Sequence, residues 1–541
     1  MSENRRIAQA AGQVGLLTLA SRVTGLLRDA VTGYYFGAGP AADAFFVAFR
    51  VPNLLRRLVG EGAMSAAFVP VFSAYLAQNR TAEAERALRA TVAVFGLALV
   101  GVTALGVVLV PAWLAVLAPG FAAEPATWAL TERLASWLFP YLLCISLVAL
   151  YGGYLNARRH FLAPALSPVL LNLAIIAAAL ALTPRLGVGS LVVGVLIGGL
   201  LQLGLQLAAL RREGVAVAPV WQPSHPALGA IWRLLAPATL GTAMYQINVL
   251  ISTSVASLLA PGCVSALWYA GRLLEFPIGL VVVALGTAAL PSFAEQAARQ
   301  AHGEMRRSLS VAIALTNYVA IPSAVALTIL ARPITAVLFQ RGAFGAGDVA
   351  LTASALQAYA AGLWALALVR VIAPAFYALR DPRTPLWAST GAFLANLLAS
   401  LALVGELPYA DGSGFGRAIG RAAAAVHLVG LGHVGLAMAA SIAVTVNAVL
   451  LALPIARRLD GLDVETIAGS LLRAAAASAA MAGALALMVP RVDWTAPGGA
   501  RALWLAVVLA VGGIVFAASA LLLGGREVAA VRRAVTERLW G

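Results

Sequence analysis

Apolar runs of about twenty residues follow one another from residue 8 to residue 523, joined by short polar segments. The hydrocarbon core of a bilayer takes about 20 residues of α-helix. Lipid offers the backbone no hydrogen-bond partner, so a chain of such runs crosses as helices. Fourteen runs qualify, over 8–33, 43–77, 88–116, 128–153, 164–183, 188–210, 231–259, 268–296, 308–330, 349–379, 385–404, 434–456, 466–489 and 502–523. The second contains Pro52 and Gly62 and is expected to bend. Only 11% of residues are charged and 61% are hydrophobic, where a soluble chain carries about 25% charged residues. No soluble core hides that much apolar surface. A cytosolic enzyme, a nucleic-acid-binding domain and a disordered scaffold are therefore excluded. The opening stretch MSENRRIAQAAGQVG runs on into a full span with Arg inside it, unlike a secretory signal.

All 37 basic residues are Arg. Without Lys there is no Walker A loop to hold a nucleotide's phosphates, and no Schiff-base or Lys-base chemistry. The formal charge of +15 is read as the excess of Arg in cytoplasmic loops. Fourteen spans from a cytoplasmic N-terminus put both ends inside. Inside segments then hold 20 Arg, among them Arg80, Arg158, Arg299, Arg380 and Arg457, and outside segments hold 8. Cys144 and Cys263 have no metal spacing, and the five His are scattered in connecting segments, so no metal or other cofactor is expected.

The chain repeats itself. Pro70 and Phe72 recur as Pro291 and Phe293, 221 residues later, and Arg86 and Leu88 recur as Arg307 and Leu309 at the same offset. Pro164 matches Pro385 at 221 and Pro111 matches Pro333 at 222. The unit covers six spans. An even number makes both copies enter the membrane in one direction, which predicts two six-helix lobes related by a pseudo-twofold along the membrane normal. The fold class is thus an all-α integral membrane protein with about 14 transmembrane helices. The expected domains are an N-lobe (1–215), a C-lobe (216–460) and two further C-terminal helices with a cytoplasmic tail (461–541).

Nine arginines stand within or at the rims of spans: Arg22, Arg28, Arg50, Arg56, Arg57, Arg233, Arg272, Arg370 and Arg473. Each costs about 2.5–3.5 kcal/mol at a helix centre. They must snorkel, pair or line water. Five crowd between positions 22 and 57, where Asp29, Asp43 and Glu61 are the acids at hand. Asp29 shares a helix face with Arg22, and Glu275 lies within pairing distance of Arg272. Five arginines against three acids leave positive charge in a low-dielectric setting, and guanidinium forks suit phosphate bidentately. This describes a cationic vestibule for a phosphate-bearing substrate. Arg22 and Arg28 lie about 120° apart on an ideal helix, so they do not form one stripe. Asn172, Gln202, Gln206, Gln246, Asn248, Asn396 and Asn447 are read as interhelical glue.

The segments 21–72, SRVTGLLRDAVTGYYFGAGPAADAFFVAFRVPNLLRRLVGEGAMSAAFVPVF, and 265–293, SALWYAGRLLEFPIGLVVVALGTAALPSF, resemble the MurJ (MviN) family of lipid II flippases. The resemblance extends over nearly the whole chain and places it in the multidrug/oligosaccharidyl-lipid/polysaccharide (MOP) exporter superfamily. It implies a MATE-like fold whose last two helices form a lipid-facing groove. It also implies movement of undecaprenyl-diphosphate-disaccharide-pentapeptide from the inner to the outer leaflet of a bacterial cytoplasmic membrane, for peptidoglycan synthesis. By motif, the family's four cavity arginines fall on Arg22, Arg28, Arg56 and Arg272, and Asp43, Asn53, Ser265 and Glu275 match positions the family uses. The family is linked to membrane potential or sodium. Here spans seven and eleven contain no Asp or Glu to serve a sodium ion.

The expected partners are the lipid-linked oligosaccharide, the bilayer and cell-wall synthesis proteins, with no nucleic acid or nucleotide, around a monomer. The competing function is export of another polyprenyl-linked glycan or of drugs, which calls for acids or aromatics in the cavity. A membrane-bound transferase needs a carboxylate pair, and no DxD or DDxxD stands at a loop rim. The chain is not read as an enzyme.

Overall fold

The computed structural model describes residues 3–55, 64–277, 279, 283–494 and 498–524. These residues are helical almost throughout, and no strand occurs among them. They form two compact units, Met1–Ser265 with Pro408–Ala418, and Ala266–Leu407 with Ile419–Gly541. Nine helical stretches among the described residues are long and apolar enough to cross a bilayer, or ten if one bent pair counts as a single span.

The first unit begins with α1 (Glu3–Phe36), α2 (Pro40–Leu55), α3 (Met64–Ala77), α4 (Thr81–Val108) and α5 (Val110–Leu117). It continues with α6 (Pro125–Leu138), α7 (Pro140–Ala157), α8 (Leu162–Leu186), α9 (Gly189–Arg212) and α10 (Pro226–Ser257). The second unit takes most of α11 (Cys263–Pro277), then α12 (Val283–Ala298), α13 (His302–Phe339), α14 (Ala346–Ala361), α15 (Leu363–Ala378) and α16 (Arg383–Val404). After α17 (Gly414–Val426) come α18 (His433–Arg458), α19 (Val464–Met488) and α20 (Gly498–Leu522). The long second apolar run corresponds to α2 and α3; of the two residues expected to bend it, Pro52 lies within α2 and Gly62 outside the described residues.

Breaks in the spans have local causes. Pro111 and Pro140 begin α5 and α7, where a missing N–H costs nothing. The α14–α15 pair bends by 47°. There Ser441 of α18 donates its hydroxyl to the Ala358 carbonyl at 2.7 Å, taking an acceptor out of the helical ladder. A Cβ on Gly362 would meet the Ser441 Cα at 2.7 Å, so only glycine lets α18 come this close.

The repeat seen in the sequence reappears in backbone and core. Asn79 and Gln300 have φ of 58° and 55°, and Arg159 and Arg380 have 63° and 57°, each pair 221 residues apart. Each ends a helix in the same way. Arg80 N–H donates to the Tyr75 carbonyl as Ala301 N–H does to Gln296, and His160 N–H donates to Leu155 as Asp381 N–H does to Phe376. This is a helix stop with a left-handed residue just past the cap. The buried cores repeat too. One holds Phe72, Ala84, Leu88, Val92, Leu150, Tyr154 and Leu155; the other holds Phe293, Met305, Leu309, Ile313, Val371, Ala375 and Phe376. Ala84 and Tyr154 of the first core correspond to Met305 and Ala375 of the second, one position growing where the other shrinks.

The last two helices dock on α13. Asn317 is fully buried; its Nδ2 donates to Ser470 of α19 at 2.9 Å and its Oδ1 accepts from Trp364 Nε1 at 2.8 Å. Leu330 packs with Met481, Leu485 and Val508. Leu503, Trp504, Ile514 and Leu522 of α20 stay exposed, as expected of a lipid-facing helix.

Candidate functional site

α1 carries two of the expected arginines, Arg22 and Arg28. Arg22 is half-buried. Arg28 has only 11% of its side chain exposed and lies against Asp29, which is 1% exposed. Arg28 Nε and Nη2 donate to the same Asp29 oxygen at 3.0 and 2.6 Å, and Nη1 donates to Asn172 Oδ1 of α8 at 3.1 Å. Asn172 Nδ2 donates in turn to the Ser21 carbonyl at 3.1 Å and the Thr24 hydroxyl at 3.2 Å. The guanidinium is held at three of its five N–H groups. Asp29 shares a helix face with Arg22, and in the structure it also forms an ion pair with Arg28, the next residue.

Asp43 of α2 takes a role that no local pattern in the chain indicates. It is 2% exposed, and its Oδ2 accepts from Gly262 N–H at 2.6 Å. Its Oδ1 accepts from Ser265 N–H at 2.7 Å and also from the Ser265 hydroxyl. Gly262 and Ser265 stand at the start of α11, whose first N–H groups have no partner within their own helix. A carboxylate from a distant helix thus acts as the N-terminal cap, where the helix dipole favours negative charge. Gly262 has φ of 92°, a conformation that glycine adopts without strain and that presents its N–H to Asp43. A small pocket beside this clasp is lined by Pro40, Asp43, Gly120, Glu124, Pro261 and Tyr409.

Further along α11, Arg272 Nη1 meets Glu275 Oε2 at 3.0 Å, the pair read from their spacing. The Arg272 guanidinium also sits 5.7 Å from the Trp268 ring centroid. Both partners are partly exposed, 31% for Arg272 and 48% for Glu275, so the pair contributes little to stability. Asn53 is buried in α2. Arg56, the remaining expected clamp arginine, lies outside the described residues. The structure therefore joins Arg28 to Asp29 and Asn172, joins Asp43 to Ser265, and joins Arg272 to Glu275. Asn172, read as glue, proves to contact a site residue; no sequence signal distinguishes it from the other span amides.

Among the described residues, no three His, Cys, Asp or Glu side chains come together as metal ligands would. The described residues make an all-helical frame with nine or ten helical stretches long and apolar enough to cross a bilayer. The frame superposes on an inward-facing multidrug resistance MATE family transporter of the MOP superfamily, with TM-score 0.65 and 16% identity over 82% of this chain and 98% of that one. It superposes better on a structure of lipid II flippase MurJ in an inward closed conformation, with TM-score 0.76 and 24% identity over 94% and 97% of the two chains. The fold is that of the MOP-superfamily transporters. Sequence is more particular. The family model described as lipid II flippase MurJ matches residues 32–507. Lipid II flippase MurJ of Burkholderia cenocepacia is 37% identical over 393 residues, 72% of this chain and 76% of that protein. A Haemophilus influenzae protein named as a probable lipid II flippase MurJ is 33% identical over 535 residues, 94% and 99% of the two. The chain belongs to the MurJ family.

Proposed function

We propose that this chain carries lipid II from the inner to the outer leaflet of a bacterial cytoplasmic membrane by alternating access. The observation that carries this reading is Arg28, a nearly buried guanidinium inside a span, fixed by Asp29 and Asn172 with N–H groups to spare, in a chain of the MurJ family. In this reading Arg22, Arg28, Arg56 and Arg272 bind the diphosphate, because a planar fork matches phosphate oxygens and loses little freedom on binding. Asp43, Asn53, Ser265 and Glu275 serve the headgroup or the arginines. The polyprenyl tail stays in lipid, along α19 and α20. Fourteen spans, with the N-lobe, C-lobe and terminal pair bounded near 215 and 460 and both termini cytoplasmic, complete the topology.

No bond in the carried lipid is made or broken in this cycle, and the chain acts as a monomer. The inside-negative potential favours return of the emptied cationic site, at about 2.3 kcal/mol per charge per 100 mV. Arg28 and Arg272 each stand beside a carboxylate, so the charge the field acts on is smaller than a count of arginines indicates. A monovalent ion is the alternative drive. Export of another polyprenyl-linked glycan remains the competing cargo.

The test is leaflet-resolved. After rapid depletion of this protein, lipid II should accumulate in a form closed to an enzyme added from the outer side, and re-expression should restore access. Unchanged access after depletion refutes the proposal. Cysteines placed at 158–160 and 380–383 should label from inside only, and those at 340–347 from outside only; labelling of both sets from one side refutes the topology.

A further inference from the structure

We propose that Asn172 is a positioning residue for the diphosphate, acting through Arg28; this rests on the proposed reading that Arg28 binds that group. Arg28 has five N–H groups. Asp29 Oδ1 takes one from Nε and one from Nη2, and Asn172 Oδ1 takes one from Nη1. Two N–H groups are left, one on each terminal nitrogen, as a two-pronged donor. A phosphate that bridges those nitrogens is bound bidentately.

Without Asn172, the guanidinium is held at one edge only, by a single oxygen of its chain neighbour. One acceptor atom fixes where that edge lies and leaves the plane free to rotate about it. The second anchor on the opposite nitrogen stops the rotation. That anchor is itself rigid. Asn172 is 6% exposed, and its Nδ2 is tied to the Ser21 carbonyl and the Thr24 hydroxyl on α1. These two bonds also settle which way the amide faces: the nitrogen turns to two acceptors and the oxygen is left for the cation. The two turns of α1 before Arg28 thus fix the amide on α8 that orients Arg28. A residue that only glued helices would have no need to present its oxygen to a guanidinium.

The test is a double-mutant cycle on the purified full-length protein, read as affinity for undecaprenyl diphosphate in detergent micelles, with melting temperature measured on every variant. Arg28→Ala should weaken binding most. Asn172→Ala should weaken it about tenfold, the equivalent of one oriented hydrogen bond. Adding Asn172→Ala to Arg28→Ala should cost less than about twofold, because the effect passes through the guanidinium. Thr24→Val removes one bond of the α1–α8 tether and leaves the Asn172 oxygen in place, so affinity should hold within about twofold. Equal losses from Asn172→Ala in the presence and absence of Arg28 overturn the inference, as does a Thr24→Val loss as large as that of Asn172→Ala. Should Asn172→Ala fail to fold, the cycle is run with Asn172→Ser, whose hydroxyl is too short to reach Arg28. If Arg28→Ala leaves the affinity unchanged, the diphosphate reading of Arg28 falls and this inference falls with it. If Arg28→Ala weakens binding and Asn172→Ala does not, this inference alone is lost.

Discussion

Asp43 offers the clearest quantitative test, because its work is counted in bonds. It accepts from two buried N–H groups and one buried hydroxyl at the start of α11. A hydrogen bond to a charged group contributes about 1.5–3 kcal/mol, and a buried donor stripped of its partner costs about 1–3 kcal/mol. Asp43→Ala strips Gly262 N–H and Ser265 N–H together. The Ser265 hydroxyl can turn to another acceptor, so the expected cost is about 3–5 kcal/mol, since such terms do not add fully. Asp43→Asn keeps one acceptor oxygen and sets an NH₂ against a donor, for about 2 kcal/mol. Ser265→Ala removes the hydroxyl bond alone and strips no N–H, for about 1.5 kcal/mol. Amide hydrogen exchange over residues 258–268 reads this directly. A loss of about 3 kcal/mol is about a 150-fold rise in local opening. The order of protection should be wild type, Ser265→Ala, Asp43→Asn, Asp43→Ala. Unchanged exchange in Asp43→Ala would mean that the carboxylate does not cap α11. In transport, Asp43→Asn should lose more than its loss of stability explains.

Three further outcomes are expected. Arg272 and Glu275 form a partly exposed pair, worth about 0–1 kcal/mol, so replacing both by Ala should leave the melting temperature nearly unchanged and abolish transport; normal transport would make the pair purely structural. Asp463 caps α19 through the Thr466 hydroxyl and N–H, and those bonds hold its carboxyl below the usual carboxylate range. The contribution to stability is therefore complete above the unfolded-state pKa near 3.8 and is lost as pH falls through the lowered folded value; amides of the first α19 turn should lose protection there, and Asp463→Ala should remove that pH dependence. A Cβ on Gly194 would lie 2.6 Å from the Ile175 Cα, whereas one on Gly204 meets nothing within 4 Å; Gly194→Ala should cost about 1–3 kcal/mol by forcing α8 and α9 apart, and Gly204→Ala should be neutral or stabilising by up to about 1 kcal/mol. Equal melting temperatures for the two glycine variants would contradict the packing.

Local chemistry was legible along the chain itself. Apolar run length gave the membrane and the helix, because a bilayer core has a fixed thickness and lipid leaves the backbone no other partner. The 221-residue offset, read from Pro70, Phe72, Arg86 and Leu88, was visible because equivalent positions meet equivalent surroundings, and it returns in the left-handed caps at Asn79 and Gln300. The Arg272–Glu275 pair needed only helical spacing. The cost of an arginine in lipid marked Arg22 and Arg28, whatever their neighbours proved to be. Tertiary structure decided which distant groups meet. Nothing near Asp43 in the chain indicates that its oxygens cap a helix beginning at residue 263, and nothing near Asn172 indicates that its amide oxygen accepts from Arg28 while its nitrogen donates to α1. The physical reason is one of range. Propensity, periodicity and burial cost act over one or two turns of helix, whereas a hydrogen bond is fixed to within a few tenths of an ångström by the packing of helices more than a hundred residues apart.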